Sequence, residues 1–316
     1  MCELNDNIFL HKERDINHHN SQTFAKSFAK SFADMRDILG AALIAKVKPR
    51  QSLKSSQSLN LHNKPTSKHI MVEYFADTEY NNNVCAFSVP LDMSLSNDQG
   101  LSNRLHVARQ YGFDFGKLTW AEQVHGNHIA IVGEQNIGSR IPSTDALITN
   151  MCGVCLLILT ADCLPVLLFD RHKHVVAAVH AGWKGTAQHI VAHTVAAMTE
   201  HFSSHPSDII AYFGPHICAD CFEVGNEVID AIGAEFVCGV GEHGNPLLNL
   251  EATNAHQLQS IGVEDINLSN ICTRHNNSWP SWRRSHTTER LGSFIFLKEN
   301  FGNTALSFNQ QIVFQQ

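Results

Sequence analysis

Three short stretches of the chain end in side chains that bind metal ions or move protons. The stretch WAEQVHGN (residues 120–127) brings His125 to a Gly-Asn turn. LTADCLP (residues 159–165) stops an apolar run at Asp162, Cys163 and a proline. AAVHAGWKG (residues 177–185) delivers His180 just before a glycine-flanked turn. Two imidazoles and one thiolate form a three-ligand set with a fourth position left for water or substrate. That is the coordination logic of a catalytic zinc, whereas structural zinc usually closes with four protein ligands. The same donors suit copper, so Zn2+ is expected here with Cu2+ as the alternative ion. Zinc so held lowers the pKa of a water to about 7. Asp145 or Asp162 is then the carboxylate placed to orient that water or shuttle its proton. Each residue also has a plainer reading. A histidine at a strand end is commonly a hydrogen-bonded structural residue, and a cysteine beside a buried strand is commonly a small hydrophobe. Without a metal, Cys163 and His180 read as a nucleophile and its base, suited to an amide or ester.

Other clusters compete for attention. Cys152 with Cys155, and Cys218 with Cys221, are C-x-x-C pairs that together could close a four-thiolate zinc site. Against it, Cys155 opens an apolar run and no glycine-rich knuckle surrounds either pair. PSWRR (residues 280–284) sets Arg283 and Arg284 beside Trp282, a pattern that clamps a phosphate or carboxylate while the indole stacks on a ring. A solvated basic loop is the competing reading. Glu223 and Arg104 are secondary candidates, and His172 and His174 read as surface histidines.

The elements that must position these residues follow from periodicity. Apolar runs at residues 155–159, 166–169 and 175–179 read as strands buried on both faces. Residues 71–75, 118–124 and 129–132 also read as strands, with further ones near 209–213, 247–250, 266–268 and 293–297. A helix capped at Thr186 is expected to run to about Phe202, with others at 224–236 and 251–261. Hairpin-like neighbours mixed with single helical crossovers indicate an α+β fold, a single mixed-sheet layered domain, rather than a regular alternation.

Residues 1–68 differ from the rest: they hold no Trp or Tyr and a single Gly. Phe24, Phe28 and Phe32 open a short repeat whose apolar positions continue at helical spacing through Met35, Leu39 and Leu43. It reads as a marginal helix in a disordered, low-complexity extension, or as an amphipathic surface helix. The chain therefore divides into an extension, 1–68, and an enzyme domain, 69–316, ending in a polar tail. The extension carries eleven Lys/Arg against six Asp/Glu, so of the total charge of −7 the remainder of the chain holds −12. An acidic main domain excludes a nucleic-acid surface, which needs a basic footprint. Nine cysteines, an odd count at apolar and motif positions, fit reduced thiols in the cytoplasm better than a disulfide framework. No apolar stretch approaches the roughly 18 residues of a membrane span.

In this order the motifs resemble the YfiH family, once labelled multicopper polyphenol oxidase or laccase and also known as peptidoglycan editing factor. The pieces are EQVHGN (122–127), DALIT (145–149), TADCLPVLL (160–168), VHAGWKG (179–185), Gly214-Pro215, CFEV (221–224), ICT (271–273) and SWRR (281–284). The resemblance implies a metal held at His125, Cys163 and His180. It also implies activity on purine nucleosides with inorganic phosphate: phosphorolysis of adenosine, inosine or methylthioadenosine, and deamination of adenosine. Arg283 and Arg284 would be the anion clamp. The alternatives that remain are a Cys-His hydrolase editing a peptidoglycan precursor and a copper-dependent polyphenol oxidase. The latter label fits poorly, because blue-copper oxidases carry several His-x-His pairs and only residues 172–174 have that form here. Lys184 and Asn249 depart from the arginine and aspartate common in the family, and the segment at 89–100 is short. Nothing in the sequence fixes the oligomeric state, which leaves room for a weak homo-oligomer.

Overall fold

The computed structural model describes residues 83–299 and the two-residue strand Val72–Glu73. The expectations for the extension at 1–68, its boundary and the tail after residue 300 lie outside the described residues. In chain order the elements are β1 (Val72–Glu73), β2 (Val84–Val89), α1 (Asp98–Tyr111), β3 (Leu118–Ala121), β4 (Ile129–Ile131), β5 (Arg140–Ile141), β6 (Ala146–Thr149), β7 (Cys155–Thr160), β8 (Leu164–Asp170) and β9 (Val175–Ala181). They continue as α2 (Trp183–Ala187), α3 (Ile190–Phe202), β10 (Ile209–Phe213), α4 (Asn226–Ile232), β11 (Val237–Val240), β12 (Pro246–Leu248), α5 (Leu250–Ser260), β13 (Asp265–Leu268), α6 (Trp282–Ser285) and β14 (Leu291–Leu297).

Two six-stranded mixed sheets carry the fold, in the orders β1-β2-β14-β7-β3-β5 and β13-β10-β8-β9-β6-β4. Strands β7, β8, β9 and β14 are apolar along nearly their whole length because both faces of each sheet are covered. Alternate residues of one strand therefore enter different cores. Leu156 and Ile158 of β7 meet Leu167 and Phe169 of β8 and Val176 and Ala178 of β9 between the sheets. Val166, Leu168, Ala177 and Val179 face the other way, onto Val191, Val195 and Met198 of α3 and Leu258 of α5. On the far side of the first sheet, Leu157, Phe294 and Phe296 pack with Val107 and Ala108 of α1. The result is an α+β domain of four layers, helix, sheet, sheet and helix.

Several expected boundaries move. The strand expected over 118–124 ends at Ala121, so residues 122–127 form a loop that wraps Asp145. The single helix expected from Thr186 to Phe202 is two: α2 and α3 are separated at His189, whose backbone is left-handed with φ 57°. Thr186 caps nothing. Gly182 occupies the N-cap position of α2, and the Thr186 hydroxyl is buried against Asn254 of α5. Strand β2 and helix α1 lack a clear periodic signal in the sequence. The helix has a low apolar content, and its start is marked only by Asn97, whose side chain accepts from the Gly100 amide. Asn249 likewise caps α5 by accepting from the Ala252 amide.

Candidate active site

The hairpin β8–β9 brings two of the three donors together. Cys163 precedes β8, His180 lies near the end of β9, and Pro165 pairs with His180 across the ladder. The third arrives from the loop after β3, where His125 adopts φ 60°. That conformation is uncommon for a residue with a side chain. Here it is held by Asp145, whose carboxylate accepts from the backbone N–H groups of Val124 (3.2 Å), His125 (3.0 Å) and Gly126 (2.8 Å). One ligand atom each from His125, Cys163 and His180 lies within 4.8 Å of the others. The two imidazole rings stand edge to face with centroids 4.7 Å apart.

Asp145, at the head of β6, is fully buried and also accepts from His180 Nδ1 at 2.8 Å. This bond fixes the imidazole tautomer and leaves Nε2 free to face the cluster. Burial raises the Asp145 carboxyl, but the His180 and amide donors outweigh it and hold the group below the ordinary carboxylate value. Burial likewise pushes the Cys163 thiol up. The His180 charge and hydrogen bonds from both imidazoles overcome it, lowering the thiol to about 6. For His180, burial disfavours the charge, yet Cys163 and Asp145 raise it to about 9. In the absence of an ion the thiol and imidazole thus form a thiolate–imidazolium pair.

The three donors fit a borderline-soft ion. Tetrahedral zinc with bonds of about 2.0–2.3 Å spaces its ligands roughly 3.3–3.8 Å apart, within reach of this cluster. Gly182 keeps the floor open. A Cβ there would sit 3.1 Å from His125 Cδ2 and 3.2 Å from Cys163 Sγ. In the sequence this glycine reads as a simple turn residue.

The other candidates separate. Asp162, with φ 93°, turns away from the donors. One carboxylate oxygen accepts from Thr273 Oγ1 and the other from the Arg283 backbone N–H, both at 2.6 Å. It tethers the C-terminal segment beside Cys163. The Arg283 guanidinium donates to the Glu223 carbonyl at 2.7 Å and lies over the Phe222 ring. Arg284 does not join it as a clamp. Its guanidinium donates to the carbonyls of Thr273, Arg274, Asn276 and Trp279, so it holds together the loop it borders. Trp282 is 47% exposed beside Arg283. Arg104 is buried and bound to the Met93 and Ser94 carbonyls. Glu223 accepts from His243 and Asn245, which lower it to about 2 and fix a surface turn. His174 immediately precedes β9, so six residue steps, about 20 Å of extended chain, separate it from His180. A multi-histidine copper cluster cannot include it.

The C-x-x-C pairs also separate. Cys155 is buried in the core under α1, and Cys152 is exposed in a bridge to Leu297. Cys218 and Cys221 meet Cys272 and His275 instead.

The family model described as Multi-copper polyphenol oxidoreductase laccase matches residues 90–298. The chain belongs to this family, the YfiH family. A purine nucleoside phosphorylase of Streptomyces coelicolor is 37% identical over 198 residues, covering 62% of this chain and 81% of that protein. The purine nucleoside phosphorylase YfiH of Escherichia coli is 37% identical over 187 residues, covering 57% and 74%. The crystal structure of the Bacillus licheniformis hypothetical protein YfiH superposes with a TM-score of 0.66 at 28% identity, covering 72% of this chain and 99% of that one. Among the described residues of this YfiH-family chain, no helix is long and apolar enough to cross a membrane.

Proposed function

We propose that this chain is a zinc-dependent purine nucleoside phosphorylase that also deaminates adenosine. The observation that carries the proposal is the meeting of His125, Cys163 and His180 over Gly182, with Asp145 fixing His180 from behind. The names of the relatives support purine nucleosides and inorganic phosphate as the substrate class, and within that class the substrates we propose are adenosine, inosine and methylthioadenosine. Zinc, when bound, supplies a Lewis acid and lowers the pKa of a nearby water to about 7. In phosphorolysis a phosphate oxygen forms a bond to the sugar C1′ while the bond from C1′ to the base breaks, and the base leaves with a proton. The protein's part is positional and electrostatic. Asp145 holds His180 in the tautomer that keeps Nε2 unprotonated toward the cluster. Cys163 contributes a thiolate at neutral pH. Arg283, fixed through its backbone to Asp162, offers its remaining guanidinium donors to phosphate, and Trp282 offers a face on which a purine stacks.

The test is turnover of purified protein on adenosine and inosine, with and without phosphate, beside metal analysis. Base release that requires phosphate, and disappears together with one zinc in Cys163→Ala, supports the reading. No turnover of any purine nucleoside removes it. We also place the protein in the cytoplasm, supported by the eight described cysteines, none of which is in a disulfide.

The depressed Cys163 thiol favours one second reading, a Cys163 nucleophile with His180 as base acting on an amide or ester of a peptidoglycan precursor. Iodoacetamide would then inactivate the enzyme and chelators would not. Copper in place of zinc would be recognised by metal analysis and by oxygen consumption with a phenol.

A further inference from the structure

A second group of soft donors lies outside the site described above. Strands β10 and β13 run parallel as neighbours, pairing Phe213 with Leu268 at their ends, and the loops that leave them stay together through a bridge between His216 and Cys272. The first loop makes a short turn that presents Cys218 and Cys221 three residues apart. The second presents Cys272 and His275 at the same spacing. One ligand atom from each of the four lies within 4.8 Å of the others. Cys221 Sγ stands 3.1 Å from His275 Nε2, Cys218 Sγ stands 3.8 Å from His275 Nδ1, and the Cys218 amide donates to Cys272 Sγ at 3.4 Å.

We propose that Cys218, Cys221, Cys272 and His275 bind a structural zinc ion. The donor set differs from the catalytic candidate in the way that separates the two classes: four protein ligands close the coordination shell, where three leave it open. Three sulfurs and one imidazole select zinc over hard cations such as magnesium and calcium. Tetrahedral zinc–sulfur bonds of about 2.3 Å place sulfurs roughly 3.8 Å apart, close to the spacing already present. The paired C-x-x-C and C-x-x-H spacings, 51 residues apart in sequence, give each loop two ligands, so the ion adds a cross-link to loops already joined by the His216 bridge.

Both loops also touch the active-site wall. The Ile217 amide donates to the Asp162 carbonyl, next to Cys163, and Thr273 Oγ1 donates to the Asp162 carboxylate. Beyond Cys221 the chain continues to Glu223, whose carbonyl holds Arg283. Arg284 organises the carbonyls of Thr273, Arg274 and Asn276 around His275, giving that loop a shape suited to a ligand. The exposed His275 and half-buried Cys218 and Cys272 give the ion a path from solvent. Binding requires the three thiols to lose their protons, as in other thiolate sites.

The inference is tested on the full chain carrying Cys163→Ala, which disables the first site and leaves the second intact. Such protein is expected to retain about one equivalent of tightly held zinc. Replacement of that zinc by cobalt should give the intense sulfur-to-metal charge-transfer absorption of a thiolate-rich tetrahedral site. Adding Cys272→Ser should abolish it. His275→Ala should lose the zinc while His275→Cys keeps it, a rescue that a packing role for the imidazole does not predict. Folded Cys163→Ala protein free of zinc, and unable to take up zinc under reducing conditions, would overturn the proposal. So would a disulfide joining any two of the three cysteines in protein purified under reducing conditions. None of these readouts depends on nucleoside turnover.

Discussion

Replacing Asp145 by asparagine changes one atom and should dismantle the site. In the native structure Oδ1 accepts from the His125 amide and His180 Nδ1, while Oδ2 accepts from the Val124 and Gly126 amides. Each oxygen faces two donors. An asparagine NH2 must occupy one of those positions, and whichever it takes it points hydrogens at N–H groups. Placed at Oδ2 it confronts two amides. Placed at Oδ1 it confronts the His125 amide and forces His180 to accept at Nδ1, which puts the proton on Nε2 and removes its lone pair from the cluster. One or two hydrogen bonds to a charged acceptor are lost, at roughly 1.5–3 kcal/mol each, so the fold should lose about 2–6 kcal/mol. For a body of this size that corresponds to a fall in Tm of roughly 5–20 °C. Changes of this kind behind a metal ligand typically cost about 10- to 100-fold in affinity or activity. Calorimetry and zinc competition on Asp145→Asn measure the two effects. A variant with unchanged Tm and unchanged zinc affinity would show that the carboxylate does not organise the site.

Other substitutions report on separate parts of the site. Gly182→Ala inserts a methyl 3.1–3.2 Å from His125 and Cys163, and should weaken zinc binding about tenfold or more without unfolding the protein; an unchanged zinc dissociation constant would contradict the close approach. Arg284→Ala strands four carbonyls and should lower stability by about 2–4 kcal/mol in urea unfolding. Arg283→Ala, in contrast, should raise KM for phosphate with little loss of Tm. In metal-free protein the Cys163 contribution to stability is complete above its ordinary value of 9.0 and is lost as the pH falls through about 6. The His180 contribution is complete below 6.5 and is lost as the pH rises through about 9. Iodoacetamide should therefore alkylate chelator-treated protein with a midpoint near pH 6, and a midpoint near 9 would exclude the ion pair. A chain shortened to residues 69–316 should keep nucleoside turnover, checked by base release against the full chain.

How much could be read beforehand depended on the kind of signal. The buried strands β7, β8 and β9 were legible because apolar residues on both faces leave uninterrupted runs. Cys163 and His180 stand out as polar side chains at the ends of those runs, and His125 at the Gly-Asn turn that follows β3. Helix α1 was hidden because a helix lying over one core needs few apolar positions, and Asn97 is a quiet cap. Partnerships across the chain left less trace. Nothing local in Asp162 announces that it faces Thr273 and Arg283, more than a hundred residues away. The two adjacent arginines look equivalent in sequence, yet the chain turns Arg283 toward Glu223 and Arg284 into a ring of carbonyls. His275 was legible in principle, since Cys272 and His275 repeat the spacing of Cys218 and Cys221. The C-x-x-C pair at Cys152 and Cys155 gives the same signal without forming a site.

We propose that one ion held by His125, Cys163 and His180 serves purine nucleoside cleavage. Phosphate-dependent release of hypoxanthine from inosine, compared between the native chain and Cys163→Ala, tests it most directly. Release should require phosphate in the native protein and be absent from the variant. Equal release by both proteins, or none by the native one on any purine nucleoside, would contradict it.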